Sequence, residues 1–253
     1  MVFEALVAQA GFTSNAFRPH ESRLKRTRRR EIEMSRILGV LGGMGPAASV
    51  AFLARVQALT PAAGDEDHVR VIADINPQVP NRHTQPEAAG QALGQMAQAL
   101  KTAGAQVLAM PCNTAHAHAD AIRAAGLPFI DMVAETARAA AGTGARRVGV
   151  LATPGGMRLY AGALDAEGLA MVAPSPAEQE RFMQVVFAVK AGDVGPGQRA
   201  AMRDLAQALI AAGAEAVIGG CTEVPLLLDQ ADISAPLIDS AEVLAQACVV
   251  ACR

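Results

Sequence analysis

Cys112 and Cys221 occupy matching places in the two halves of the 253-residue chain. Each lies eight residues beyond the glycine of a Gly-Ala pair, Gly104-Ala105 and Gly213-Ala214, and each has a threonine close behind it, Thr114 and Thr222. Upstream, Arg36-Ile37-Leu38-Gly39-Val40-Leu41 is echoed by Arg147-Val148-Gly149-Val150-Leu151. The spacing from Gly39 to Cys112 is 73 residues and that from Gly149 to Cys221 is 72. A repeat with one thiol per half predicts two similar lobes whose cysteines face each other across a cleft. Acid/base groups on opposite sides of one atom suit the inversion of a carbon stereocentre, in which one group removes a proton and the other delivers one.

The elements that must position these thiols alternate regularly from Arg36 onward. Apolar runs at Ile37–Leu41, Val69–Ile75, Val107–Met110 and Phe129-Ile130 read as strands, and so do Val148–Leu151, Met171-Val172 and Val217-Ile218. Between them the spacing predicts helices over Ala47–Leu59, Ala88–Thr102, Ala115–Ala125, Val133–Ala141, Tyr160–Glu167, Ala177–Val189 and Gln198–Ala212, with a last one over Ala241–Cys252. Short strands alternating with helices of ten to fifteen residues imply βαβ units and parallel sheets. The fold class expected is α/β, with two similar α/β/α lobes related by pseudo-twofold symmetry and the site in the cleft between them. Residues 34–132 with 236–253 form the first lobe and 133–235 the second, with hinge positions near Met132 and Ala235. In parallel sheets ligands sit beyond the carboxyl ends of the strands. Both cysteines fall there, as does the Gly42-Gly43-Met44-Gly45-Pro46 turn.

Composition removes several other classes. The chain is 51% hydrophobic, but no apolar run approaches the roughly 18 to 20 residues of a membrane span. Aromatics are 3%, with Tyr160 alone and no Trp, a poor supply of stacking platforms for single-stranded nucleic acid. Residues 1–33 carry a net +3 against −2 for the whole chain, leaving about −5 on the body, which has no basic footprint. The Arg23–Arg30 charge run reads as part of a solvated extension, with Met34 as an alternative start. Four cysteines without closely paired spacings read as reduced cytoplasmic thiols rather than a disulfide framework.

Locally, each cysteine ends a strand. A helix opening at that point would offer unpaired N–H groups and a positive dipole end, lowering the thiol pKa. The N–H groups and side chains of Asn113, Thr114 and Thr222 could then hold a substrate carboxylate. His116 follows Cys112 by one helical turn and reads as a polar neighbour tuning the thiol, in preference to a zinc ligand with His118; no metal is expected. Cys248 and Cys252 read as a buried helix face. Gly42–Pro46 lacks the Gly-Lys-Ser/Thr of a phosphate loop and reads as a turn that brings Met44 close to a substrate. Pyridoxal phosphate would need a Schiff-base lysine, for which the body offers Lys101 and Lys190; the paired thiols make that cofactor unnecessary, and none is expected.

Three motifs, Leu41-Gly42-Gly43-Met44-Gly45-Pro46, Met110-Pro111-Cys112-Asn113-Thr114-Ala115-His116 and Gly219-Gly220-Cys221-Thr222-Glu223-Val224-Pro225, closely resemble those of the aspartate/glutamate racemase family, most of all its aspartate-racemase branch. Asp67-His68, Pro80-Asn81-Arg82, Val189-Lys190-Ala191-Gly192 and Ile238-Asp239-Ser240 match as well, so the resemblance runs from about Arg36 to the C-terminus. It implies a cofactor-free amino-acid racemase with two catalytic cysteines. By that analogy Cys221 takes the α-proton of the L-enantiomer and Cys112 that of the D-enantiomer, while Arg82 and Lys190 recognise a distal carboxylate. Met44, Asn113, Thr114, Thr222 and Glu223 complete the expected substrate site. Where glutamate racemases usually carry His after the second Cys-Thr, this chain has Glu223. It departs from the family at Thr153-Pro154-Gly155-Gly156, where a second Thr is common, and at Asn81-Arg82-His83-Thr84, where Asp-Arg-Thr is usual.

The resulting expectation is two-base racemisation of aspartate or a related acidic amino acid. The alternatives are a broad-specificity racemase, another reaction of the superfamily such as maleate isomerisation, and non-catalytic amino-acid binding. The expected partners are a small-molecule substrate and a second copy in a homodimer, without nucleic acid or membrane.

Overall fold

The computed structural model describes residues 35–253 apart from His83, and the extension expected over residues 1–33 lies outside the described residues. The first half runs β1 (Leu38–Gly42), α1 (Pro46–Leu59), β2 (Val71–Ile75), α2 (Pro86–Thr102), β3 (Val107–Ala109), α3 (Ala119–Arg123), β4 (Phe129–Ile130) and α4 (Met132–Gly142). The second half has the same number of strands and helices but places two helices between its second and third strands and no α-helix between its third and fourth: β5 (Arg147–Leu151), α5 (Pro154–Ala166), β6 (Ala170–Val172), α6 (Pro176–Lys190), α7 (Pro196–Ala211), β7 (Ala216–Gly219), β8 (Leu237–Asp239) and α8 (Ser240–Cys252). Two four-stranded sheets result, ordered β2-β1-β3-β4 and β6-β5-β7-β8, with every pairing parallel. The expected architecture of two α/β lobes is the one observed.

The inner strands are apolar because both of their faces are covered. Leu38 and Val40 of β1 pack with Val107 and Ala109 of β3 under α1 and α8, while Leu41 and Leu108 turn to the opposite face under α2. In the second sheet Val148, Val150, Ala216 and Ile218 lie under α4 and α5, and Leu151 and Val217 lie under α6 and α7. The repeated glycines mark where the covering segment, a helix or the turn that follows it, comes closest to the strand. A Cβ on Gly39 would stand 2.7 Å from the Ala105 Cβ, and one on Gly149 would stand 3.0 Å from the Leu209 Cβ. The repeat thus records a packing requirement as well as a pair of thiols.

Five helices, α1, α2, α5, α6 and α7, begin with a proline in the first turn, where a missing N–H costs nothing and φ is already set. The other two long helices start on aspartates at the ends of equivalent strands. The Asp131 side chain accepts from the Val133 and Ala134 N–H groups, and that of Asp239 accepts from the Ala241 N–H. These two helices are exchanged between lobes. α4 leaves the first sheet and packs on the second, whereas α8 leaves the second sheet and packs on the first; α4 and α8 also pack against each other.

Three features depart from the sequence-based expectation. β8 is a strand of the second sheet, so that sheet extends past residue 235, where the lobe boundary was expected. The helix expected near Tyr160 starts earlier, at Pro154, capped by the Thr153 hydroxyl, which accepts from the Gly156 N–H. The helix expected over 115–125 is a 3-10 segment, Thr114–His118, followed by the five-residue α3.

Both sheets reverse their winding direction between the two central strands, and such a switch point leaves a crevice at the strand ends. The segments after β1 and β3 therefore meet those after β5 and β7.

Candidate active site

At this meeting place lies a cavity of about 320 Å³, lined by residues from all four segments. Every residue expected at the site borders it: Cys112 and Cys221, together with Met44, Arg82, Asn113, Thr114, Lys190, Thr222 and Glu223. Thr153 and Asn81 join them, as do Met183, Val186 and Phe187 of α6. That apolar wall was not anticipated, since a Met-Val-Phe stripe on a helix reads as core. Phe187 nevertheless remains 62% exposed.

The floor begins at the glycine turn after β1. Gly43 has φ of 96°, and a Cβ there would stand 2.4 Å from the Asn76 carbonyl oxygen, so only glycine fits. The Ser49 hydroxyl clamps the turn, accepting from the Gly43 N–H at 2.8 Å and donating to the Gly45 carbonyl at 2.9 Å. Gly45 then faces the Lys190 ammonium, 3.8 Å from where its Cβ would lie.

Cys112 is 5% exposed and Cys221 is 7% exposed. No long helix opens at either. Cys112 precedes the 3-10 segment. Cys221 is followed by only a three-residue 3-10 turn, Val224–Leu226, whose Pro225 supplies no N–H. Burial pushes the Cys112 thiol above its ordinary value, opposed by the Arg82 charge and the Ala115 N–H. Cys221 is pushed up further by burial and by Glu223, whose carboxylate accepts the thiol hydrogen at 2.8 Å. The expectation that helix N-termini lower these pKa values is therefore corrected: desolvation outweighs the local dipoles.

The two halves of the cleft consequently differ in charge. Lys190 is ion-paired with Glu223. Burial alone would lower its pKa, but the charge and hydrogen bond of Glu223 raise it overall. Among the described residues no carboxylate pairs with Arg82 in this way. Its Nε is buried without a hydrogen-bond partner among the described residues, and its charge acts on Cys112 and on His118. A buried, unpartnered guanidinium nitrogen is an opening for an anion.

The Arg82 charge thus favours the Cys112 thiolate, whereas the adjacent Glu223 carboxylate opposes that of Cys221. Iodoacetamide should label Cys112 before Cys221, faster as pH rises, because only the thiolate reacts. Glu223→Gln should narrow the gap by removing the anion beside Cys221. Peptide mass mapping reads both rates, and equal labelling of the two in the unaltered protein would contradict this asymmetry.

His116, expected as a polar neighbour of the thiol, directs both ring nitrogens to backbone atoms. Its ring is pinned at both nitrogens: Nε2 accepts the Met132 N–H at 3.0 Å and Nδ1 lies 2.9 Å from the Cys112 carbonyl. That pattern requires the neutral Nδ1–H tautomer, in keeping with the downward shift that burial gives this imidazole. Asn113 likewise spends its side chain internally, accepting from the Tyr160 hydroxyl at 2.6 Å and donating to Ser240 at 3.0 Å. The hydroxyls of Thr114 and Thr153 meet at 2.7 Å, and Thr222 donates weakly to Glu223 at 3.5 Å. Among the described residues no group of three or more His, Cys, Asp or Glu could hold a metal ion.

A family model described as Asp/Glu/hydantoin racemase matches residues 41–248. The chain belongs to that family. The broad specificity amino-acid racemase RacX of Bacillus subtilis is 27% identical over 84% of this chain and 96% of the relative. A glutamate racemase of Pseudomonas entomophila is 29% identical over 85% of this chain and 80% of its own length. Among solved structures, the Picrophilus torridus aspartate racemase superposes with a TM-score of 0.74 at 28% identity, covering 86% of this chain and 94% of that one. The chain is accordingly an isomerase of the racemase type, and the resemblance read from its motifs holds at the level of the family.

Proposed function

We propose that the protein racemises aspartate, or a closely related acidic amino acid, by proton transfer between Cys112 and Cys221. The observation that carries this reading is that both buried thiols border one cleft together with a guanidinium that has an unpartnered nitrogen. Two thiols serve the α-carbon, and Arg82 takes the distal carboxylate. Lys190 is less available for that role because Glu223 already neutralises it.

In the D-to-L direction the Cys112 thiolate takes the α-proton. The C–H bond breaks, an S–H bond forms, and the electron pair spreads into the α-carboxylate. The hydroxyls of Thr114 and Thr222 stabilise that charge. Cys221 then gives its proton to the opposite face, leaving the two cysteines with their protonation states reversed. In the L-to-D direction Cys221 must first lose its proton, and the Glu223 carboxylate is the group in contact to accept it. The burial of both thiols away from water strengthens these charge interactions.

A broad-specificity racemase is the second reading, favoured by the apolar wall of Met183, Val186 and Phe187 and by the likeness to RacX. Incubating the purified protein with single L-amino acids, without added metal or pyridoxal phosphate, and resolving the enantiomers by chiral chromatography separates the two. Aspartate should yield its D-form at least about tenfold faster than alanine or leucine. Comparable rates for neutral side chains would favour the second reading, and turnover of maleate alone would reject both.

A further inference from the structure

The two thiol loops belong to different lobes, yet one side chain touches the immediate neighbour of each cysteine. Tyr160 of α5 is 0% exposed. Its hydroxyl donates to the Asn113 side-chain oxygen at 2.6 Å, directly after Cys112. Its ring covers the backbone directly before Cys221: a Cβ on Gly220 would stand 2.6 Å from Cε2 and 3.1 Å from Cδ2. The chain of bonds then continues. The Asn113 amide donates to the Ser240 hydroxyl at 3.0 Å, and that hydroxyl donates to the Gly219 carbonyl at 2.7 Å. Gly219 ends β7, two residues before Cys221.

A closed path therefore runs from the Cys112 loop through Asn113 to the β7 end along two routes, one through the Tyr160 ring and one through Ser240. A polar network buried to this depth is rigid when each member is satisfied, and leaving a buried carbonyl oxygen without its donor is costly. Burial also pushes the Tyr160 phenol well above its usual pKa, so it stays a neutral donor throughout the working pH range. The motif glycine at position 220 is required because the ring occupies the space of a side chain.

We propose that Tyr160 is the positioning residue that sets how the two thiol loops face each other, with Asn113 and Ser240 as its links. The role rests on the reading that both thiols act on one substrate carbon. Tyr160 touches no substrate and acts through the backbone on either side of the cleft. A misplacement on the order of 1 Å between reacting groups costs about 10²-fold in rate, so the hydroxyl matters even though the ring alone could hold the fold.

The decisive variant is Tyr160→Phe, which keeps the ring on Gly220 and removes only the donor. With the opposing acid misplaced, the carbanion survives longer and returns to its original face after exchange with solvent. In deuterated solvent, deuterium uptake without inversion should rise at least about fivefold relative to inversion, while kcat falls roughly 30- to 100-fold and KM stays within a factor of about three. A variant that merely folded less well would lose both processes together and keep their ratio. An unchanged ratio overturns the proposal. If Tyr160→Phe does not fold, Ser240→Ala decides instead, with the same rise expected and an unchanged ratio again overturning it. Cys112→Ala and Cys221→Ala run alongside separate the two readings. Full racemisation by either would remove the two-thiol mechanism itself. Inactivity of both, with a wild-type ratio in Tyr160→Phe, would remove only the positioning role.

Discussion

Cys112→Ala and Cys221→Ala should each abolish racemisation in both directions, by a factor of at least about 10³, since a positioned acid or base is worth roughly 10² to 10⁴ and each direction needs one of each. Folding should survive. Both thiols line a cavity, so truncation to alanine enlarges existing space rather than opening a void in a sealed core. Serine replacements should be severely impaired as well, because a hydroxyl is a far poorer base than a thiolate near neutral pH. Steady-state polarimetry with either enantiomer measures the loss. A near wild-type rate from any single alanine variant would rule out the paired mechanism.

The second large effect concerns Arg82. With its Nε buried and without a hydrogen-bond partner among the described residues and Lys190 already paired, Arg82→Leu should cut kcat/KM for aspartate by about 2 to 3 kcal/mol, roughly 30- to 150-fold, the value of a hydrogen-bonded charge. Neutral amino acids, which have no distal carboxylate to strand, should lose less than about threefold. Kinetics with aspartate and alanine on the two proteins give the comparison. Equal losses for both would show that Arg82 does not read the side chain.

The two-lobe fold was legible because its signals are local and repeated. β1 and β5 are short apolar runs with a glycine at the same step, and the close approach of Ala105 to Gly39 and of Leu209 to Gly149 explains that spacing. The gathering of Cys112, Cys221, Arg82 and Lys190 was legible from motif and position at strand ends. What escaped depended on partners distant in sequence. β8 is three residues long, too short for alternation to show. The exchange of α4 and α8 between lobes is invisible to periodicity, which identifies an apolar face and not the sheet it covers. Phe187 borders the cleft, and nothing in the helix read over 177–189 distinguishes a cleft-lining side chain from one in the core. The thiol pKa shifts were misjudged because helix polarity can be read along the chain, whereas burial depends on how the whole molecule closes. Tyr160 stood out in the composition as the sole tyrosine, yet nothing nearby in sequence pointed to Asn113 across the lobes.

The two-thiol account is tested most directly by following α-hydrogen exchange in deuterated solvent with each alanine variant and each enantiomer of aspartate. Each variant retains one thiol and hence access to one face of the α-carbon. Cys112→Ala, which keeps Cys221, should wash deuterium into L-aspartate and leave D-aspartate untouched. Cys221→Ala should do the reverse, and neither should form the opposite enantiomer. Exchange of both enantiomers by a single variant, or of neither by both, would contradict an arrangement in which each cysteine serves one face.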